Sequence, residues 1–255
     1  MREVRRIGLS ATGFAVIGLM LSGCGGQARE DLAVKDANRI EIYTSLAAQA
    51  LAQNNLDVAL AEAKRAIKVD SGNSQANDIM ALVQARLRDD VRAEKHFQRA
   101  LAADDRNSDA QNNFGVFLCE RGRIDEAIPH FDAALTNPLY KTPVRANLNA
   151  AQCLLKKADY KGAERYYRAA LTVDARSSVA LFNLARLTYD RQDYLATRAF
   201  LTRYFEGAKE SPEALLLAVK AERALGSNSN AADFKFRLRS KFPDSAEAKL
   251  VDRIN

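Results

Sequence analysis

Residues 112–135 (NNFGVFLCERGRIDEAIPHFDAAL) and residues 149–171 (NAAQCLLKKADYKGAERYYRAAL) carry small, apolar and aromatic side chains in the same order. Ala127 and Ala163 are equivalent in the two stretches, and an aromatic residue follows each of them four residues later. The position recurs with spacings of 34, 34, 36, 34 and 34 residues, at Ala59, Ala93, Ala127, Ala163, Thr197 and Ala231. A period of this length predicts a repeat architecture built from helix pairs.

This pattern resembles the tetratricopeptide repeat and covers most of the chain. Small residues recur where two helices approach closely, and the aromatic residue fills the gap between pairs. We therefore predict an all-α fold, a superhelical solenoid of six helix pairs. The units are residues 40–73, 74–107, 108–141, 144–177, 178–211 and 212–245, followed by a C-terminal tail at residues 246–255.

The first residues have the organisation of a bacterial lipoprotein leader. Three arginines within the first six residues precede Ile7 to Leu21, a run of 15 residues without charge. That run is shorter than the ~20 residues that span a bilayer. Residues 21–24 (LSGC) resemble the lipobox, in which the cysteine thiol accepts diacylglycerol. We predict a signal peptide at residues 1–23 and lipidation of Cys24; an ordinary signal peptide with an incidental cysteine is the alternative.

Lipidation would fix the location of the mature chain. Stable anchoring needs two or more acyl chains, which a lipidated Cys24 would carry. Gly25 rather than aspartate follows the cysteine, which is similar to the outer-membrane class of Gram-negative lipoproteins. We therefore expect a lipid anchor at the periplasmic face of the outer membrane, with residues 24–39 forming the lipidated cysteine and a flexible tether.

Composition and charge argue against other classes of function. The net charge of +6 is mild for 255 residues and does not require a nucleic-acid partner. His96 and His130 occupy equivalent positions, but no third ligand is in register with them, so no metal site is predicted. The sequence also lacks the motifs of a phosphate-binding loop or a nucleophile elbow. We expect no enzyme activity, no small-molecule substrate and no cofactor apart from the covalent lipid on Cys24.

Two further cysteines, Cys119 and Cys153, lie on the first helices of neighbouring units. A disulfide between them would brace the place where a two-residue insertion interrupts the repeat, in an oxidising compartment. Two separate buried thiols are the alternative, because cysteines whose Cα atoms are more than about 7 Å apart cannot be bridged.

The first helices of the units are expected to line a concave groove that accepts a peptide or an amphipathic helix. The apolar side chains would supply contact area, and the amides would bond to the backbone of the partner. Alternatively, these residues pack between repeats. The predicted groove residues are Leu51, Leu82, Asn112, Val116, Leu148, Gln152, Leu155, Phe182 and Tyr189.

The third and fourth units resemble the PilF/PilW family, tetratricopeptide outer-membrane lipoproteins of type IV pilus biogenesis. The resemblance rests on the lipobox, the six units, NNFGVFLC at residues 112–119, NPLYKTP at residues 137–143, and Cys153. It implies a pilotin, a non-enzymatic factor that binds subunits of the outer-membrane secretin and promotes their localisation and multimerisation. The alternative is a general periplasmic scaffold that organises cell-envelope assembly enzymes.

Overall fold

The computed structural model describes residues 23–251 and 253, with side chains for residues 30–251 and 253. Within that part of the chain, twelve helices form six consecutive pairs and a thirteenth closes the C-terminal end. This confirms the predicted all-α superhelical solenoid. The helices are α1 (Gly23–Ala52), α2 (Leu56–Val69), α3 (Ser74–Arg86), α4 (Asp90–Ala103), α5 (Ser108–Glu120), α6 (Ile124–Thr136), α7 (Pro143–Lys156), α8 (Tyr160–Val173), α9 (Ser178–Asp190), α10 (Tyr194–Gly207), α11 (Pro212–Ala224), α12 (Asn228–Lys241) and α13 (Ala246–Val251).

The predicted signal peptide falls almost entirely outside the described residues. Cys24 lies within α1, and its side chain is outside the described residues. None of the helices described combines the length and apolar character needed to cross a bilayer.

The turn inside each helix pair has one recurring geometry. In each turn, the residue directly before the N-cap of the second helix adopts a left-handed conformation, with φ between 56 and 77°. The six residues are Asn54, Arg88, Gly122, Ala158, Gln192 and Gly226. Glycine adopts this conformation without steric cost, whereas a residue with Cβ is strained by it. The next residue often caps the helix, as Asp89 and Asp159 do by accepting a backbone N–H.

Alanines and aromatic rings fill the positions that the repeat pattern assigns to them. Ala127 and Ala163 are fully buried, and so are Phe131 and Tyr167. Gly115 faces Phe131 so closely that a Cβ atom at this position would lie 2.8 Å from Cε1 of the ring. The third unit therefore needs glycine at this position, since a larger residue would displace the aromatic ring.

The insertion between the third and fourth units brings Tyr140 into the core. This residue packs with Ala134 and Ala146, whereas the neighbouring Leu139 is 85% exposed. The side-chain oxygen of Asn137 accepts the backbone N–H of Leu139 at 2.9 Å, which fixes the start of the loop. The inserted loop is therefore anchored on one side by Tyr140 and presents Leu139 to solvent.

The prediction of a flexible tether at residues 24–39 is wrong. These residues are helical and continue into the first repeat helix α1. Residues 27–39 contain no glycine or proline, and extending a helix already held by its contacts with α2 is far easier than nucleating one. At 1.5 Å per residue the segment is about 22 Å long. Residues 30–39 are exposed apart from the half-buried Asp36, so the segment is a helical spacer.

The two ends of the solenoid differ from its interior. Leu46, which the repeat register places at a large apolar site, is 42% exposed because no preceding helix pair covers it. At the other end, the predicted tail forms α13 over residues 246–251. Its Ala248 and Val251 are buried in a cluster with Leu215 and Leu238. This short helix covers the apolar end of the last unit.

Candidate functional site

The first helix of each pair carries the side chains of the concave groove. In the N-terminal half, four of the predicted groove residues come together: Leu51, Leu82, Asn112 and Val116 line one cavity of about 430 Å³. Ile79 and Phe117 add apolar surface to it. The first helices α1, α3, α5 and α7 all contribute residues to the cavity, which we call the N-terminal cavity.

Asparagine side chains form a polar row beside this cavity. Nδ2 of Asn113 donates to Oδ2 of Asp78 at 2.9 Å, and Nδ2 of Asn149 donates to Oδ1 of Asn112 at 2.9 Å. A longer bond of 3.4 Å from Nδ2 of Asn112 to Oδ1 of Asn113 joins the two pairs. The row crosses three successive first helices, α3, α5 and α7. We call these four residues the amide ladder.

Asp78 is the one acidic member of the amide ladder. Burial of its carboxyl group raises the pKa from 3.8 to about 7, although the hydrogen bond from Asn113 opposes the shift. Among the charged neighbours, Asp109 raises this pKa further and Arg145 lowers it. Its Oδ1 atom is shielded from solvent and has no hydrogen-bond partner in the described part of the chain. A shielded oxygen without a hydrogen-bond partner lowers the stability of the folded state.

The centre of the groove holds the two cysteines. Cys119 and Cys153 are joined in a disulfide, with their Cα atoms 5.7 Å apart. A smaller cavity of about 120 Å³ lies over the disulfide and is lined by both cysteines together with Val116 and Gln152. The bridge ties α5 to α7 across the inserted loop.

The C-terminal half of the groove has a different chemistry. Phe182 lines a cavity of about 170 Å³ together with the charged side chains of Arg186, Glu213, Lys220 and Glu247. On the same helix as Glu213 and Lys220, Glu222 is 3% exposed and accepts hydrogen bonds from Arg198 at 2.7 and 2.5 Å. Charged pairs occur here where the N-terminal half has amides.

The remaining predicted groove residues are partly buried. Leu148 and Leu155 pack against the central apolar core, and so does Tyr189, whose ring centroid lies 5.4 Å from that of Tyr194. These three residues therefore contact the core. This agrees with the alternative prediction, that groove residues pack between repeats. Contact of any groove residue with a partner stays a prediction.

Asn113 and Asn149 are site residues that the sequence did not predict. Both occupy the sixth position of their units, one residue after the inward position that the register predicts. The signal was present, because Asn183 repeats the same residue at the same position of the fifth unit. Asn183, however, donates to the carbonyl oxygen of Val179 in its own helix at 2.8 Å. The repeated asparagine alone therefore does not show where the ladder ends.

The two histidines bond to amides rather than to each other. Nδ1 of His96 lies 2.9 Å from Oδ1 of Asn77, and Nδ1 of His130 lies 2.7 Å from Oε1 of Gln111. Burial lowers the pKa of both imidazoles, which favours the neutral ring. Among the side chains that are described, no three of the types that bind metals come together.

Comparison with known proteins places this architecture in context. The sequence matches the model of the tetratricopeptide repeat family at residues 45–108, 80–140 and 118–180, which together span more than half of the chain. It is 25% identical over 232 residues to the type IV pilus assembly protein PilF of Pseudomonas aeruginosa, a match that covers 89% of this chain and 91% of PilF.

Two solved structures are similar to the whole solenoid. The crystal structure of PilW, described as a widely conserved type IV pilus biogenesis factor, has a TM-score of 0.68 and 29% identity, with 83% of this chain and 97% of PilW covered. The structure of Pseudomonas aeruginosa PilF has a TM-score of 0.74 and 23% identity, with 87% of this chain and all of PilF (100%) covered. The resemblance to the PilF/PilW family is thus confirmed.

Proposed function

The chain belongs to the tetratricopeptide repeat family, and from its likeness to PilF and PilW we propose that it acts in type IV pilus biogenesis as a pilotin. In this role it binds subunits of the outer-membrane secretin and promotes their localisation and multimerisation, without catalysing a reaction. The observation that carries the proposal is an open groove with an apolar cavity and an amide ladder, in a chain similar to PilF over 89% of its length.

In the proposed mechanism, the lipid anchor locates the protein at the membrane and the groove recognises the partner. Lipidated Cys24 holds the protein at the periplasmic face of the outer membrane. The helical spacer at residues 24–39 sets the repeats about 22 Å from the anchor, at 1.5 Å per residue. The groove then holds a secretin segment until the subunits assemble. Because each repeat contacts mainly its neighbours, the first helices form one continuous surface along the solenoid.

Deletion of the gene tests the proposal. We expect heat-resistant secretin multimers to disappear from the outer-membrane fraction and secretin monomers to accumulate elsewhere. Complementation with the wild-type gene should restore the multimers. Complementation with Cys24→Ala should leave the protein folded but unanchored, and the multimers reduced or mislocalised.

Persistence of multimers and surface pili in the deletion strain would overturn the pilotin proposal. If peptidoglycan or other envelope assembly were disturbed instead, the general periplasmic scaffold would replace it. If Cys24→Ala behaves like the wild type, the lipid anchor is dispensable and only the groove part of the mechanism survives.

A further inference from the structure

A further cavity lies on one edge of the solenoid, where helices α3 and α5 begin. Its volume is about 670 Å³. Residues 72–75 and 106–109 line two sides of it, and residues 139–141 of the inserted loop line a third. Within the described residues, its lining includes none of the predicted groove residues. We call this cavity the edge cleft.

The insertion leaves a serine hydroxyl of the edge cleft without a partner. In the second unit, Oγ of Ser74 accepts a hydrogen bond at 2.8 Å from Nδ2 of Asn107, which caps the next first helix. Ser108 is the equivalent residue of the third unit, where Thr142 and Pro143 begin the next first helix and neither carries a side-chain amide. Ser108 is 6% exposed, and its Oγ atom has no hydrogen-bond partner among the described residues.

A tyrosine hydroxyl in the same cleft is in the same state. Tyr140 of the inserted loop is 8% exposed, and its hydroxyl oxygen also lacks a partner in the described part of the chain. Both residues line the edge cleft. A serine side chain has three staggered positions about χ1, so Ser108 can turn its hydroxyl towards a molecule in the cleft.

The first turns of α3 and α5 bring backbone donors to the cleft. The first N–H groups of an α-helix have no partner within the helix. Oδ1 of Asn73 accepts the N–H of Ala76, and Oδ1 of Asn107 accepts the N–H of Ala110. These caps do not involve the N–H groups of residues 74–75 and 108–109. Because a helix N-terminus also carries partial positive charge, both helix ends favour an anion.

The charged side chains around the cleft leave a positive balance. Arg106 and Lys141 line the cleft, are exposed and form no ion pair within the described residues. Asp109 is paired with Arg145 at 2.8 Å. Asp104 accepts the backbone N–H of Arg106 at 3.0 Å. With Arg145 included, three cationic side chains stand beside two carboxylates, and the two helix ends add to the positive charge.

The cleft opens on the side of the solenoid from which the helical spacer leaves. Short turns make neighbouring helices antiparallel, so the first helices α1, α3 and α5 run in the same direction. In the repeat register, residue 40 of α1 is equivalent to Ser74 at the start of α3, and α1 begins earlier, at Gly23. The edge cleft therefore faces the same way as the end of α1 that carries Cys24.

We propose that the edge cleft binds a phosphate group, held by the N–H groups at the start of α5, the hydroxyl of Ser108 and the side chains of Arg106 and Lys141. A phosphate group presents three strong acceptor oxygens, which suits donors that come from a helix end, a hydroxyl and two cations. The cleft is larger than a phosphate group, so the rest of the ligand extends towards α3. The phosphate belongs to a lipid headgroup or to a soluble compound.

Titration with inorganic phosphate, followed by the NMR signals of backbone amides, tests this inference. The chain carries Cys24→Ala, so no lipid is attached, and chloride keeps the ionic strength constant. The amide signals of residues 108 and 109 should shift and saturate. Those of residues 178 and 179, at the equivalent start of α9, should not. Absence of a saturable shift at residues 108 and 109 would overturn the inference.

Substitution of the cations measures their contribution. Arg106→Gln and Lys141→Gln should each weaken phosphate binding by about fivefold, the effect of one charge-assisted bond at an exposed place. Arg176→Gln is the matched control, because Arg176 lies in the equivalent turn of the fourth unit and its backbone N–H bonds to Asp174 in the same way. It should change the affinity by less than about twofold. Equal affinity of the wild type and both cleft variants would contradict the proposal.

Ser108→Ala separates recognition from a merely structural role. Removing a hydroxyl that has no partner should not lower the free energy of unfolding, whereas the loss of one bond to phosphate should weaken binding by about fivefold. Urea denaturation and the phosphate titration are carried out on the same variant, with Ser178→Ala at the start of α9 as the control. Unchanged phosphate affinity in Ser108→Ala would contradict the role of this hydroxyl.

Flotation with vesicles distinguishes the two sources of the phosphate. Vesicles of phosphatidylcholine with phosphatidic acid are compared with vesicles of phosphatidylcholine alone, again with the Cys24→Ala chain. Flotation that requires phosphatidic acid and is lost in Arg106→Gln/Lys141→Gln supports the site and assigns it to a lipid headgroup. Saturable amide shifts without flotation support the site and assign it to a soluble phosphate compound. None of these measurements involves the secretin, so their outcome is independent of the pilotin proposal.

Discussion

The two halves of the groove use the same backbone positions for different chemistry. At the ninth position of successive units, Leu82 and Val116 stand in the N-terminal half, whereas Arg186 and Lys220 stand in the C-terminal half. The packing positions hold small, buried residues in both halves, as Ala93 and Ala127 in the N-terminal half and Thr197 and Ala231 in the C-terminal half show. The fold depends on the small residues at helix crossings, so the groove can vary without disturbing it.

The halves also differ in how their buried carboxyl groups are satisfied. Asp78 keeps one oxygen without a partner, and burial raises its pKa to about 7. Burial also disfavours ionisation of Glu222, but hydrogen bonds from Arg198 and Asn230 outweigh it and hold the pKa below its usual value. The carboxyl group of Asp78 thus keeps one oxygen without a partner among the described residues, whereas Glu222 is paired with Arg198 and Asn230.

The disulfide at the centre of the groove should have the largest effect on stability. Replacing both cysteines, as Cys119→Ser/Cys153→Ser, is expected to cost about 3–4 kcal/mol, because the bridge closes a loop of about 34 residues in the unfolded chain. Chemical denaturation of the double variant measures the loss. Adding a reductant to the wild type should reproduce it, and an unchanged midpoint in both experiments would mean that the bridge does not stabilise the solenoid.

Breaking the charged pair in the C-terminal half should have the next largest effect. Arg198→Ala leaves Glu222 buried without its main partner and should cost about 2 kcal/mol, less than for a fully buried pair because Arg198 is itself about a third exposed. The lowered pKa of Glu222 means that the paired carboxylate stabilises the fold above its ordinary pKa and loses this contribution as the pH falls.

Arg203→Ala is the matched control for this variant. Arg203 lies on the same helix and, among the described residues, donates to the carbonyl oxygen of Ala175 in an exposed bond. Its removal should change the free energy of unfolding by less than about 0.5 kcal/mol. Equal effects of the two substitutions would contradict the role assigned to Glu222.

Asp78 should show the opposite pH dependence in the N-terminal half. Its folded pKa is raised, so its ionisation destabilises the fold increasingly between about pH 4 and pH 7 and by a constant amount above that range. Asp78→Asn should therefore stabilise the protein by about 1–2 kcal/mol at pH 8 and by little at pH 4. Urea denaturation at the two pH values checks this, with Asp105→Asn as the exposed control. A stabilisation independent of pH would contradict the raised pKa.

The smallest expected effect concerns the left-handed turns. Ala158 has φ of 59°, a conformation that glycine adopts without strain. Ala158→Gly should raise stability by about 0.5–1 kcal/mol, and Gly122→Ala at the equivalent turn should lower it by a similar amount. Thermal unfolding of both variants measures the two changes in stability. Changes of the same sign in the two variants would contradict the steric argument.

The periodicity of the sequence predicted the fold because helix packing restricts particular positions to small or aromatic residues. Ala127 and Phe131 illustrate this, since both are fully buried where the register expects them. The helical spacer was missed because glycine and polar residues at residues 25–27 resemble a linker, and sequence pattern does not show that α1 continues through them.

The chemistry of the groove was less predictable than the fold. The register identified Leu82 and Val116 as inward positions, and both line the N-terminal cavity. It did not identify the ladder, because bonding among Asn112, Asn113 and Asn149 depends on the distance between neighbouring helices. Asn183 has the same residue type at the same position but bonds to its own helix. Such differences arise from tertiary geometry rather than from local sequence.

A matched pair of substitutions tests most directly whether partner binding resides in the N-terminal half. Val116→Glu and Lys220→Glu place the same side chain at the ninth position of the third and sixth units, each in a strain that lacks the wild-type gene. Heat-resistant secretin multimers in the outer-membrane fraction are then compared at equal levels of the two proteins. The account predicts that multimers are lost with Val116→Glu and retained with Lys220→Glu. Retention with Val116→Glu, or loss only with Lys220→Glu, would contradict it.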